Sequence, residues 1–88
     1  MTYRVYYSKE SVKYLSRLTP SSIKRLFSRI EKLAKNPFAD DNNIAKLTGT
    51  KSSYRIRIGD TRVIYYIDRE KRVIYITKIA PRGSVYSH

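Results

Sequence analysis

The chain is most legible over Tyr54–Tyr86, YRIRIGDTRVIYYIDREKRVIYITKIAPRGSVY. This stretch predicts three consecutive antiparallel strands. Residues 54–58 alternate between a ring or aliphatic side chain and arginine. Gly59-Asp60 then supplies a tight turn, because glycine accepts the positive φ that two-residue hairpins need. A second strand is expected over 62–67, a polar break over Asp68-Arg69-Glu70-Lys71, and a third strand over 72–80. All three runs are rich in Ile, Val and Tyr, which suit a pleated, half-buried surface.

A turn at Gly59-Asp60 sets a register. It pairs Ile58 with Thr61, Arg57 with Arg62 and Arg55 with Ile64. Side chains alternate between faces along a strand, so Ile56, Ile58, Val63, Tyr65 and Ile67 share one face. The next turn adds Ile74 and Ile76 to it. The other face carries Arg55, Arg57 and Arg62 with Ile64, Tyr66, Tyr75 and Thr77. Two arginines directly opposite each other repel. Either an anion sits between them, or they splay into solvent as charges on an outer sheet face often do.

The chain has 88 residues, enough for one small domain spanning 1–88 with one core and one functional surface. Hydrophobic residues make up 41%, enough to drive folding. No apolar run approaches a membrane span, and no signal peptide is read ahead of the first strand; the absence of cysteine fits the expectation of a cytoplasmic protein. With no cysteine and one histidine, His88, neither a disulfide framework nor a thiolate or histidine metal site is expected. No cofactor is expected either. The net charge is +12, with +5 in residues 1–44 and +7 in residues 45–88. A folded domain with so even a basic excess usually meets a polyanion, most often nucleic acid. Nine tyrosines add flat rings on which bases can stack.

Upstream, residues 2–7 predict a short strand with Tyr3, Val5 and Tyr7 on one face. Ser8 is placed to cap a helix over 8–18, whose Val12, Leu15 and Leu18 recur at helical spacing. Thr19-Pro20 is a second start signal, a capping threonine before proline at the first helical position. Ile23, Leu26, Phe27, Ile30, Leu33 and Ala34 give the apolar stripe of a helix over 20–35, which Asn36-Pro37 ends. Residues 38–53 are the least regular, with a polar loop at 40–43 and a turn-rich segment at 48–53. Ile44 and Leu47 are expected to plug the edge of the core. The order β-α-α-β-β-β has two amphipathic helices and one apolar sheet face to cover. An α+β two-layer sandwich follows: an N-terminal strand, a two-helix hairpin and a three-strand antiparallel meander. The arginine face is left open.

The strand pair YRIRIGDTRVIYYI, the closing PRGSVY and the upstream Lys46-Leu47-Thr48-Gly49 together resemble the RelE family of toxins from type II toxin–antitoxin pairs. The last of these is similar to the family's K-L-x-G lead into that strand. The order of elements matches along the whole chain, and Pro-Arg-Gly resembles the archaeal branch.

The resemblance implies a ribosome-dependent messenger endonuclease. Such toxins enter the ribosomal A site and cut by attack of the 2′-hydroxyl on the adjacent phosphate. A cognate RelB-like antitoxin wraps and blocks them. Carried over by position, the resemblance implies catalytic roles for Arg57, Arg62, Arg82 and Tyr86, and RNA-binding roles for Arg55, Lys46 and Lys51. Arg57 and Arg62 would hold the non-bridging oxygens, and Arg82 the departing 5′-oxygen. Tyr86 would stack on a base or orient the 2′-hydroxyl. Guanidinium groups suit a phosphodiester and the added charge of its transition state.

One position departs from the family pattern. Several relatives carry lysine, a candidate general base, where this chain has Arg57, and arginine does not deprotonate at working pH. Tyr86 is the remaining candidate, since neighbouring arginines favour its ionised form. Two other classes share the features. ParE toxins use the same scaffold against DNA gyrase, and a non-catalytic RNA-binding module would also be basic and tyrosine-rich.

Overall fold

The computed structural model describes residues 2–81. The elements run β1 (Arg4–Tyr7), α1 (Lys9–Leu15), α2 (Pro20–Lys35), β2 (Ile44–Lys46), β3 (Ser53–Ile58), β4 (Thr61–Asp68) and β5 (Val73–Pro81). The strands form one five-stranded sheet in the order β1-β5-β4-β3-β2. β3, β4 and β5 are the expected antiparallel meander. β1 joins β5 in parallel, and the two helices between β1 and the meander provide the crossover that a parallel connection needs. β2 extends the sheet at the far edge, where an irregular segment was expected; Ile44 there pairs with Ile56 and points at the core edge.

Both helices start where the caps predict. Ser8 accepts a hydrogen bond from the Ser11 backbone N–H at 3.1 Å, and Thr19 accepts from that of Ser22 at 3.3 Å, with Pro20 at the start of α2. α1 is shorter than expected and ends at Leu15. Leu26, Ile30, Leu33 and Ala34 of α2 bury against Ile56, Val63, Tyr65, Ile74 and Ile76 of the sheet. At roughly 2 kcal/mol for each large side chain removed from water, this face is the main source of stability.

Two stripe positions are not core. Val12 is 54% exposed and Phe27 45% exposed, while Ser11 is fully buried. The first turn of α1 docks on β5 through polar contacts that turn Ser11 inward. The Ser11 hydroxyl faces the Ile76 carbonyl at 3.4 Å, the Ser8 backbone N–H donates to the same carbonyl at 2.9 Å, and the Ser8 hydroxyl donates to the Thr77 carbonyl at 3.0 Å. With Ser11 facing the sheet, Val12, the next residue round the helix, turns outward. Among the described residues no helix is long and apolar enough to cross a membrane.

Candidate nucleic-acid interface

The helices cover one sheet face, and the opposite face holds the arginines. The hairpin register is the expected one: Ile58 faces Thr61, Arg57 faces Arg62 and Arg55 faces Ile64. Gly59 has φ +59° and Asp60 is not in the positive region, the pattern of a type II′ turn. The Arg57 backbone N–H donates to the Asn43 carbonyl at 2.9 Å, away from β4. Arg57 and Arg62 are therefore a non-hydrogen-bonded pair, the kind whose Cα atoms approach to about 4.5 Å and whose side chains lie closest.

Neither arginine is splayed into water. Arg62 is only 7% exposed, and Arg55 and Arg57 are half-buried. The Nε of Arg57 is buried without a hydrogen-bond partner among the described residues. Small Ala80 sits opposite Arg62 on β5 and leaves room for its guanidinium.

The loop before β2 holds Arg57's strand in place. Arg29 of α2 donates to Asp41 at 2.6 Å, and Asp41 also accepts from the Asn43 backbone N–H at 2.8 Å. Asn43 in turn holds the Arg57 backbone. The Asn43 hydrogen bond and the Arg29 guanidinium keep the Asp41 carboxyl below the usual carboxylate range. On the core side, Tyr65 stacks on Tyr54 with centroids 5.7 Å apart. Burial, reinforced by Tyr54, pushes the Tyr65 hydroxyl well above the usual phenol range.

A bulge in β5 recruits a residue that the alternation did not assign. Ile64 pairs with Lys78 but Tyr65 pairs with Ile76, so Thr77 is the extra residue. Its hydroxyl donates to the Ile64 carbonyl at 3.2 Å. The shift returns Ile79 to the core and places exposed Lys78 on the arginine face beside Ile64 and Arg55. The signal was present in the sequence as Ile74, Ile76, Ile79, a spacing of three where a regular strand has two.

The remaining expected site residues fall elsewhere. Lys46 pairs with Tyr54, whose ring packs on Tyr65, so it belongs to the helix-side face of the edge strand rather than to the arginine face. Lys51 is exposed in the β2–β3 connection. Arg82, Tyr86 and His88 lie outside the described residues.

A two-helix layer on one side of this mixed sheet, with paired arginines on the other, is the architecture of a RelE/ParE-type toxin. Residues 5–86 match the family described as ParE toxin of type II toxin–antitoxin system, parDE, and the chain belongs to that family. Within it the chain is a RelE-like toxin of a type II toxin–antitoxin system. It is 36% identical over 89 residues to a Methanocaldococcus jannaschii protein designated a candidate RelE1 toxin, covering 100% of this chain and 99% of that one. It is similar to a chain of the archaeal RelE–RelB complex from Pyrococcus horikoshii OT3, with a TM-score of 0.82 and 38% identity over 96% of this chain and 99% of the other. A chain of the RelB–RelE antitoxin–toxin complex from Methanococcus jannaschii matches with a TM-score of 0.73 and 25% identity, covering 94% and 96%.

Proposed function

We propose that this toxin is a ribosome-dependent messenger endonuclease, acting in the cytoplasm as the single domain 1–88. The observation that carries this reading is the Arg57–Arg62 pair, held half-buried to buried on an otherwise open face. Two like charges directly opposite each other repel, and an anion between them relieves that repulsion. A phosphodiester fits, and its transition state fits better, because it gathers further negative charge on oxygens that guanidinium groups hold two at a time.

In this reading Arg57 and Arg62 hold the scissile phosphate. Arg55 and Lys78 extend the cationic strip along the messenger, and Lys51 reaches flanking RNA. Arg82 stabilises the leaving 5′-oxygen, and Tyr86 orients or deprotonates the 2′-hydroxyl. The bond formed joins the 2′-oxygen to phosphorus, and the bond broken releases the 5′-oxygen, which takes a proton. A 2′,3′-cyclic phosphate and a 5′-hydroxyl result. Because Arg57 cannot serve as a base, rate enhancement rests on positioning and electrostatics, with the ribosome fixing substrate geometry.

The partner is an acidic RelB-like antitoxin, as the RelE–RelB complexes of the two archaeal relatives suggest. Complementary charge favours its docking over the +12 surface. Primer extension on translating ribosomes tests the activity. Defined breaks in A-site codons support it, and intact messenger rejects it. The ParE description of the matched family keeps gyrase poisoning as the second reading, scored by a supercoiling assay.

A further inference from the structure

The open face does not end at the arginines. The next row along the strands is aromatic: Tyr66 of β4 pairs with Tyr75 of β5, Tyr75 pairs with Tyr6 of β1, and Ser53 of β3 stands beside Tyr66. The Tyr6 and Tyr75 rings stack with centroids 5.8 Å apart and planes 25° apart. Tyr66 and Tyr75 lie 6.2 Å apart with planes tilted by 42°. Tyr6 is 48% exposed and Tyr66 41% exposed, although each stands in a paired strand. With Ser53 and Thr77 these rings line an open, largely apolar cleft of about 650 Å³.

The position of this row relative to the arginines is informative. Tyr66 lies four residues from Arg62 on β4, and Ser53 two from Arg55 on β3. At about 3.3 Å per residue the rings stand roughly 7–13 Å from the cationic strip, on the same face. Cationic groups in one row and bare aromatic rings in the next are the two things a single nucleic-acid strand presents surfaces for, its phosphates and the faces of its bases.

We propose that Tyr6, Tyr75 and Tyr66 form a stacking platform for unpaired bases of the single-stranded RNA whose phosphates meet Arg55, Arg57 and Arg62. The inference rests on the RNA reading above and adds a subsite to it. Every base has a π-face, so such a platform is tolerant of sequence; it holds the strand in register while the arginines act on one phosphate. An acidic protein segment would also be drawn to the arginines. The ring row itself carries no cation to meet such a segment's carboxylates, so the bases are the better match.

The test uses a 5′-labelled twelve-nucleotide single-stranded RNA, a version with three central abasic sites and the same phosphates, and heparin as a polyanion without bases. Binding is read by fluorescence anisotropy. The unaltered protein is expected to bind intact RNA at least tenfold more tightly than the abasic version, since one stacked base contributes about that factor or more. Tyr6→Leu with Tyr66→Leu should erase the difference, the matching Phe variants should keep it, and heparin binding should not move.

Equal affinity for intact and abasic RNA overturns the platform, and this comparison stands even where a Leu variant fails to fold. Leu variants that still discriminate overturn it too. So do Leu variants that lose antitoxin binding alone, which would assign the face to the antitoxin. A protein that discriminates but leaves ribosomal messenger intact keeps the platform and removes the endonuclease reading. One that cuts without discriminating removes only the platform.

Discussion

Arg57 and Arg62 face each other across the β3–β4 ladder as a non-hydrogen-bonded pair, with Arg62 7% exposed. The protein thus holds two like charges at the closest approach a sheet allows, one half-buried and one buried. Removing the charge of Arg57 should help the fold and harm the function. Arg57→Met keeps an apolar stem and deletes both the charge and a buried, unpartnered Nε. A gain of up to about 1 kcal/mol is expected, with a fall of ~10²–10³ in cleavage rate. Thermal unfolding beside single-turnover cleavage checks it; a destabilised variant would mean that Arg57 packs rather than waits for an anion.

The turn that creates this pair was legible in the sequence because Gly59-Asp60 permits few alternatives. Strict alternation in 54–58, carried through the turn, then put Arg55, Arg57 and Arg62 on one face. The bulge at Thr77 was less legible, since one extra residue leaves composition unchanged and moves only the parity. Val12 was misplaced for a different reason. Helical periodicity finds the apolar stripe, but here the facing carbonyls of β5 select a serine for the inner position. β2 was missed because three residues are too few to show a period.

Gly59→Ala should destabilise the hairpin by roughly 1–2 kcal/mol, the cost of a side chain at positive φ. The new Cβ would also lie 2.9 Å from an Arg25 guanidinium nitrogen, although that flexible end can move. Cleavage should fall further than stability explains, because the turn sets the arginine register. Matched melting and cleavage curves on Gly59→Ala and Gly59→Asn would show it, with Asn milder because it tolerates positive φ better. Equal losses in the two variants would point to the Arg25 contact instead.

Asp41→Asn probes the brace from α2 to Arg57. The Asp41 carboxyl sits below its ordinary range in the fold, so its contribution is present above the unfolded value, near 3.9, and is lost as pH falls through the lower folded value. At pH 7 the variant should melt at a lower temperature than the parent. Below pH 4 the gap should begin to narrow, and it should close once the folded carboxyl is protonated too, since protonated Asp and Asn are alike in charge. A gap that persists unchanged at pH 2.5 would show that the carboxylate charge is not what matters.

Tyr65 carries a buried hydroxyl with no hydrogen-bond partner among the described residues. Tyr65→Phe removes a desolvated polar group and leaves the stack on Tyr54 in place. Stability should stay level or rise by about 1 kcal/mol. The difference should grow above pH 10. There the unfolded tyrosine ionises while the folded one, its pKa raised, does not, so the parent loses stability that the variant keeps. Denaturant melts at pH 7 and pH 10.5 measure both; a clear loss at pH 7 would reveal a partner for the hydroxyl, such as a buried water.

The final prediction separates catalysis from affinity for RNA. Docking on a ribosome spreads over many phosphates, so one arginine contributes a small share of it. Charge developing at the scissile phosphate falls on few groups, and losing one donor there typically costs ~10²–10³ in rate. Arg62→Ala and Arg82→Ala should therefore abolish most single-turnover cleavage on programmed ribosomes while ribosome pelleting stays close to that of the parent. Arg62 has a further test built into the fold. Its loss removes the repulsion with Arg57, so the variant should still unfold in one cooperative transition while cutting poorly. Lys24→Ala, exposed on α2 of the opposite layer, should change neither readout. If Arg62→Ala loses binding and cutting in step, the arginine is a docking residue. The transition-state role would then pass to Arg57 and Arg82, whose alanine variants in the same assay would have to show the split that Arg62 did not.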